Sequence, residues 1–258
     1  MKVFVAFDIE TTGLDPKTAQ ITEIAAYKFD RWGREIGRFS TLVNPGKPIP
    51  AAVRSKIPIT DRMVQLAPDP ATAVAAFKAF VGDGMLVGHN CDFDLNFVSA
   101  VDPSLAGREM LDTFHLAKHV IPGRASYSLV NITKDQGLDR FHVRPHRAWS
   151  DAYVTAKLFG VLVNVVENMP AADVAALRAS KGANPGPWAT FLNDVVRGDG
   201  VEPPDPTVAS ARAAAPPHFV AWWTRNLNLP GINPAAAPSR SPRIPDQGPP
   251  RPDISGLN

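Results

Sequence analysis

The sequence predicts an α/β domain whose sheet is at least partly antiparallel, followed by a Pro/Ala-rich C-terminal extension. Three observations carry this reading. Up to Met169, short strand-like apolar runs alternate with helix-like patterns, the signature of a sheet covered by helices. The second and third strand patterns are joined only by Asp30-Arg31-Trp32-Gly33-Arg34, short enough for a hairpin, which makes its two strands antiparallel. Proline is unevenly spread, with 16 of the 26 prolines in residues 169–258, so the folded domain is expected to end near Met169-Pro170.

In chain order, residues 2–9 read as a buried strand, 21–30 and 36–43 as two more, Met85–Gly88 as a short fourth and Glu109–Leu111 as a fifth. Helical patterns occupy 71–81, 92–101, 113–120, 126–136 and 149–166, with turn residues between them. No internal repeat is present. Three divisions follow: a domain over 1–168, a helical extension over 169–232, and a tail over 233–258 rich in Pro, Ser, Arg and Gly that is expected to be disordered. Within the extension, 171–179, 189–196 and 219–227 have short helical patterns.

The chain of 258 residues is long enough to bury a substantial core. A formal charge of +2 is too small to mark a nucleic-acid binder, so any such contact must come from local basic clusters. The single cysteine, Cys91, excludes an intramolecular disulfide and a multi-thiolate zinc site. The apolar run at Val3–Phe7 is too short for a signal peptide or membrane span. A cytoplasmic protein without membrane association is expected.

The residues able to do chemistry fall in three short segments. Asp8 and Glu10 lie two apart on the first strand, so both carboxylates point to one face and can reach one ion. They are followed by Thr11-Thr12-Gly13, which can turn the chain and expose backbone amides to a phosphate or a 3′ hydroxyl. In the second segment, Gly88-His89-Asn90-Cys91-Asp92-Phe93-Asp94, a strand gives way to a helix near Asn90 or Asp92. Either residue can cap the helix, leaving Asp94 in the first turn to lean toward the first strand. Histidine at a strand end, as His89 is, is more often structural than catalytic. In the third segment, His146 precedes a helix that carries Asp151, and Ala148, Ala152 and Ala156 form a small-residue stripe that lets this helix approach the sheet closely. His146 sits just before the helix, on chain expected to be mobile, where it could swing over bound metals and take a proton from water near neutral pH.

Two further groups carry less. His115 and His119 are four apart on a helix, but no third ligand follows at a zinc-like interval. Lys118, Arg124, Lys134, Arg140, His142, Arg144 and Arg147 could form a phosphate-binding rim or an ordinary solvated surface.

Taken together, the three segments resemble the DEDDh exonucleases, the DnaQ-like family that includes the proofreading subunit of bacterial replicases. Order, spacing and residue types agree over residues 2–166. The resemblance implies an RNase H-like mixed sheet flanked by helices. It implies two Mg²⁺ or Mn²⁺ ions held by Asp8, Glu10, Asp94 and Asp151, with His146 as general base. It further implies hydrolysis from the 3′ end of single-stranded or frayed DNA, releasing nucleoside 5′-monophosphates in proofreading or repair. Thr11, Thr12 and Gly13 inherit contacts to the terminal nucleotide, Leu14 the role of a wedge against the last bases, and His89 and Asn90 a place beside the substrate. The expected partners are therefore single-stranded DNA or RNA 3′ ends.

Two other readings stand beside this one: an RNA-trimming exoribonuclease of the same chemistry, and a non-catalytic nucleic-acid or replisome-binding module. A binding module has no need of five groups in catalytic register. In the extension, Trp188, Phe191, Trp222 and Trp223 either dock a polymerase or pack on the nuclease domain. Asn226-Leu227-Asn228-Leu229-Pro230 has a weak similarity to a sliding-clamp-binding peptide but lacks its leading glutamine.

Overall fold

The first strand, Val-Phe-Val-Ala-Phe-Asp-Ile-Glu-Thr, is apolar on both faces for most of its length, and such a strand is stable only at the centre of a sheet. In the computed structural model, which describes residues 3–30, 34–179 and 191–192, β1 (Val3–Thr11) has that place. It pairs antiparallel with β2 (Ile21–Asp30) and parallel with β4 (Met85–Gly88). The five-stranded sheet has the order β3-β2-β1-β4-β5, with β3 (Glu35–Leu42) antiparallel to β2 and β5 (Met110–Asp112) parallel to β4. The predicted hairpin thus joins β2 to β3, and the sheet is mixed. Exposed and half-buried residues fill β3, as suits an edge strand.

Alternation along β1 sends its two side-chain sets to different helical layers. Val5, Phe7 and Ile9 pack with Val74 and Phe77 of α3 (Pro70–Val81) and with Phe97 and Val98 of α4 (Asp92–Val101). Phe4 faces the opposite layer, its ring 5.0 Å from Phe159 of α7 (Ala148–Glu167). Asp8 and Glu10 share the parity of Phe4 and so point to the α7 side. The small-residue stripe behaves as its composition predicts, since Ala148 and Ala152 are fully buried against Ala25 of β2. That contact brings the first turn of α7 down onto the sheet beside Glu10.

Between β3 and α3 the chain forms two four-residue helices, α1 (Ala51–Arg54) and α2 (Asp61–Val64), where no regular element is predicted. Prolines at 48, 50, 58 and 68 interrupt any longer pattern. Ile49, Ile57, Ile59 and Val64 give this segment its own small core.

The remaining helices are α5 (Thr113–Val120), α6 (Leu129–Asp135) and α8 (Ala171–Ala179). The sixth helix is shorter than the predicted 126–136 because Ser126, Tyr127 and Ser128 lie outside it. Phe191 is buried, with its ring 5.8 Å from Phe4 and 5.6 Å from Phe159. Phe191 thus packs on the sheet domain. Trp188, Trp222, Trp223, the 226–230 peptide and the 233–258 tail lie outside the described residues. Among the described residues no helix is long and apolar enough to cross a membrane.

Candidate active site

β1 outruns β4: the last parallel pair is Ala6 with Val87, so the Ile9 N–H lies beyond β4. Asp94, in the first turn of α4, accepts this N–H through Oδ1 at 3.0 Å. An orphan backbone donor therefore draws a buried carboxylate over the carboxyl end of β1, between Asp8 and Glu10 in sequence.

The turn that delivers Asp94 is tightly specified. A Cβ on Gly88 would lie 2.2 Å from the Cys91 Cβ, so only glycine fits there. Asn90 has a φ of 61°, in the left-handed region that Asn tolerates better than most residues. The cap position of α4 falls on Cys91 and carries no side-chain cap bond, so neither Asn90 nor Asp92 caps the helix. The carboxylate of Asp112 accepts the N–H groups of Asn90, Cys91 and Phe114 at 2.9, 3.3 and 2.8 Å, tying the turn to β5 and α5. His89 is held inside this frame, with Nδ1 2.9 Å from Thr113 Oγ1 and Nε2 2.8 Å from the Tyr127 carbonyl. Burial lowers the pKa of its imidazole. Both ring nitrogens are thus engaged by the protein, while Asn90 is exposed beside them.

The third segment closes the site from the α7 side. Asp151 is buried, and its Oδ2 accepts the His146 N–H at 3.1 Å. His146 has a φ of 62°, an uncommon backbone for histidine, and its ring is exposed. The loop leading into the helix, expected to be mobile, is tied down at several points. Arg144 N–H donates to Ser150 Oγ at 3.1 Å, and Arg147 donates through Nε and a terminal nitrogen to the two carboxylate oxygens of Glu23.

Ligand atoms of Glu10, His146 and Asp151 all lie within 4.8 Å of one another, the one such group among the described residues. His115 and His119 form no comparable group; His115 instead stands 3.9 Å from Asp112. Asp8 and Asp94 join the site electrostatically. Desolvation holds Asp8 well above the usual carboxylate range, and Asp94, Asp151, Glu10 and Glu23 push it further the same way. Glu10 is pushed up to about 8, first by burial and then by Asp151, Glu23 and Asp94, with Arg147 opposing. Asp94 is pushed up to about 7 by burial, against the pull of its backbone N–H donors. Acids so gathered repel one another, and a cation is the natural relief. The carboxylate oxygens suit a hard divalent ion such as Mg²⁺ or Mn²⁺, with the His146 imidazole beside them.

Two residues escape a reading of the sequence. Glu23, 1% exposed, stands opposite Glu10 across the β1–β2 pair and also accepts the Ala148 N–H at 2.9 Å. A lone acid in the apolar run Ile21–Ala26 was its only signal. His142 is buried with Nε2 hydrogen-bonded to Asp151 Oδ1, and no spacing rule marks it. The proposed basic rim shrinks accordingly, because half-buried Arg147 and buried His142 are engaged by Glu23 and Asp151 in the site's own framework. Lys118 lies over the Phe114 ring at 4.1 Å, and Arg124 is 3.5 Å from Asp135.

On the other side of the site, the loop after Glu10 is organised by its own hydroxyls. Thr11 Oγ1 donates to the Gly13 carbonyl at 2.6 Å, and Thr12 Oγ1 accepts the Gln20 N–H at 2.9 Å. The loop presents Leu14, 86% exposed, to solvent.

A profile of the RNase T exonuclease family matches residues 5–159. The DNA polymerase III subunit epsilon of Treponema pallidum (strain Nichols) is 40% identical over 167 residues, covering 62% of this chain and 76% of the relative. The 3′–5′ exonuclease DinG of Bacillus subtilis (strain 168) is 36% identical over 181 residues, 68% of this chain and 19% of DinG, so the chain spans only a small part of that protein. A solved structure of exonuclease X in complex with 5′-overhanging duplex DNA matches with a TM-score of 0.50 at 29% identity, over 64% of this chain and 92% of that one. The sheet is the RNase H-like sheet of these nucleases. Since the profile spans more than half of the chain and all three acidic segments converge on one site, the chain belongs to the exonuclease family and is a hydrolytic 3′–5′ exonuclease.

Proposed function

We propose that this chain removes nucleotides from the 3′ end of single-stranded or frayed DNA, releasing nucleoside 5′-monophosphates. The observation that carries the reading is the approach of Glu10, His146 and Asp151 to within 4.8 Å, with burial raising the pKa values of Glu10, Asp8 and Asp94. Asp8, Glu10, Asp94 and Asp151 would hold two divalent ions, which when bound activate a water and stabilise the leaving 3′ oxygen. His146, exposed and fixed by its own backbone, accepts the proton of the attacking water. Thr11, Thr12 and Gly13 offer backbone and hydroxyl groups to the terminal nucleotide. Leu14 extends from the same loop to separate the last bases. Asn90, exposed in the turn that leads to Asp94, leaves its side chain open to substrate, and His89 keeps that turn in place.

Similarity to a replicase epsilon subunit supports a place in proofreading or repair. A polymerase or sliding clamp would then be met through residues outside the described structure. Digestion of 5′-labelled DNA and RNA oligonucleotides of matched sequence tests the substrate assignment. The reading predicts a ladder shortening from the 3′ end, faster on DNA, abolished by chelator and restored by Mg²⁺ or Mn²⁺. Faster shortening of RNA would make the chain an exoribonuclease. No cleavage of either would leave it a binding module.

A further inference from the structure

Asp151 is gripped from both sides. Its Oδ2 takes the His146 N–H, and its Oδ1 takes Nε2 of His142, nine residues upstream. His142 is itself fixed: its backbone N–H donates to the Asp139 carbonyl at 3.0 Å, closing a 3-10 turn over Asp139–Phe141, and its side chain is buried. A carboxylate ready to bind a cation only accepts, which assigns Nε2 as the donor in this pair. The two donors stop rotation of the Asp151 carboxylate about its last side-chain bond, and each oxygen keeps a lone pair for another partner. Nothing in the sequence pattern of the three acidic segments requires a histidine at position 142.

We infer that His142 is a positioning residue of this site: its buried imidazole sets the orientation in which Asp151 meets a divalent cation. The inference rests on the proposed role of Asp151 as a metal ligand. Partners that orient a ligating side chain this way generally change metal affinity or activity by about 10–100-fold when removed. His142 does not touch the reacting atoms, so its loss acts through metal binding and not through the chemistry that His146 performs.

The test measures Mn²⁺ binding to the full chain by electron paramagnetic resonance, alongside oligonucleotide cleavage as a function of Mn²⁺. His142→Leu fills the same space without a donor and should raise the Mn²⁺ Kd about 10–100-fold. KM for the oligonucleotide should stay unchanged, and kcat should recover as Mn²⁺ is raised. His142→Gln places an amide N–H near the lost Nε2–H and should recover most of the affinity. An unchanged Kd in His142→Leu overturns the proposal, as does an equal loss in the Leu and Gln variants. A readout on the unmodified chain covers the case in which the variants do not fold. The Nε2-bound proton resonance of His142 should shift when Mg²⁺ is added, and a resonance that stays in place overturns the proposal. Wild-type protein that takes up no Mn²⁺ overturns both this inference and the metal-dependent reading. Normal uptake that His142→Leu leaves intact overturns this inference alone.

Discussion

Arg147 holds Glu23 by two hydrogen bonds, Nε to Oε2 at 2.9 Å and a terminal nitrogen to Oε1 at 2.8 Å, in a nearly dry interface between the start of α7 and the middle of the sheet. Glu23 is the direct cross-strand neighbour of Glu10, so this ion pair neutralises one of two acids that would otherwise face each other unscreened. It also fixes the helix turn from which Asp151 projects.

Loss of one partner should be costly. Arg147→Met leaves Glu23 buried and unpaired beside Glu10, and removal of one member of a buried pair costs about 3–5 kcal/mol. Glu23→Gln in the same background removes the stranded charge and should recover much of that loss. Urea denaturation of the two single variants and the double variant measures it. Additive losses would show that the pair is not coupled.

The raised acids set the direction of the pH dependence. A carboxylic acid with a folded pKa above its unfolded value binds more protons folded than unfolded, so the stability it contributes is full at low pH and fades as pH rises through the folded pKa. With Glu10 raised from 4.5 to about 8 and Asp94 from 3.8 to about 7, metal-free protein should lose stability progressively from about pH 4, where the unfolded acids ionise, up to about pH 8. Added Mg²⁺ should flatten the trend and release protons over the same interval. Thermal melts in chelator, compared with Glu10→Gln, isolate this contribution. A wild-type slope no steeper than that of the variant would contradict it.

His146 should matter for turnover and little else. Asn is the suitable replacement, because it accepts the left-handed backbone that Ala would strain. His146→Asn should lower kcat by about 10²–10⁴-fold, as expected for loss of a general base. Melting temperature and Mn²⁺ affinity should stay close to wild type, since the backbone N–H to Asp151 remains. Near wild-type turnover would eliminate His146 as the base.

Leu14 is 86% exposed, so Leu14→Ala should change stability by less than about 0.5 kcal/mol. As a wedge, it should slow removal of nucleotides from paired or frayed 3′ ends while sparing single strands. Equal effects on both substrates, measured with matched hairpin and unpaired oligonucleotides, would deny it that role.

Much of this site is local in sequence, and that part was legible. Asp8 and Glu10 announce themselves by period-two spacing at the end of an apolar strand, and the alanine stripe of α7 predicts the close approach that places Asp151. The hairpin between β2 and β3 follows from a connection too short for anything else. Asp94 was legible as a first-turn acid, but its hydrogen bond to Ile9 depends on where β4 stops pairing, which is a property of the sheet. Glu23 and His142 were not legible because their partners, Arg147 and Asp151, are brought to them by tertiary packing. The short helices at Ala51–Arg54 and Asp61–Val64 were hidden for another reason. Their prolines erase the periodicity by which a helix is recognised, and burial of Ile49, Ile57 and Ile59 stabilises the segment instead.

Asp8, Glu10, Asp94 and Asp151 are proposed to form one cation-binding site, and an anomalous difference map from crystals soaked in Mn²⁺ with a nucleoside 5′-monophosphate would reveal it. Two manganese peaks about 4 Å apart, ligated by these four carboxylates with His146 alongside, are predicted. A map without manganese there, or with manganese bound to other side chains, would contradict the account.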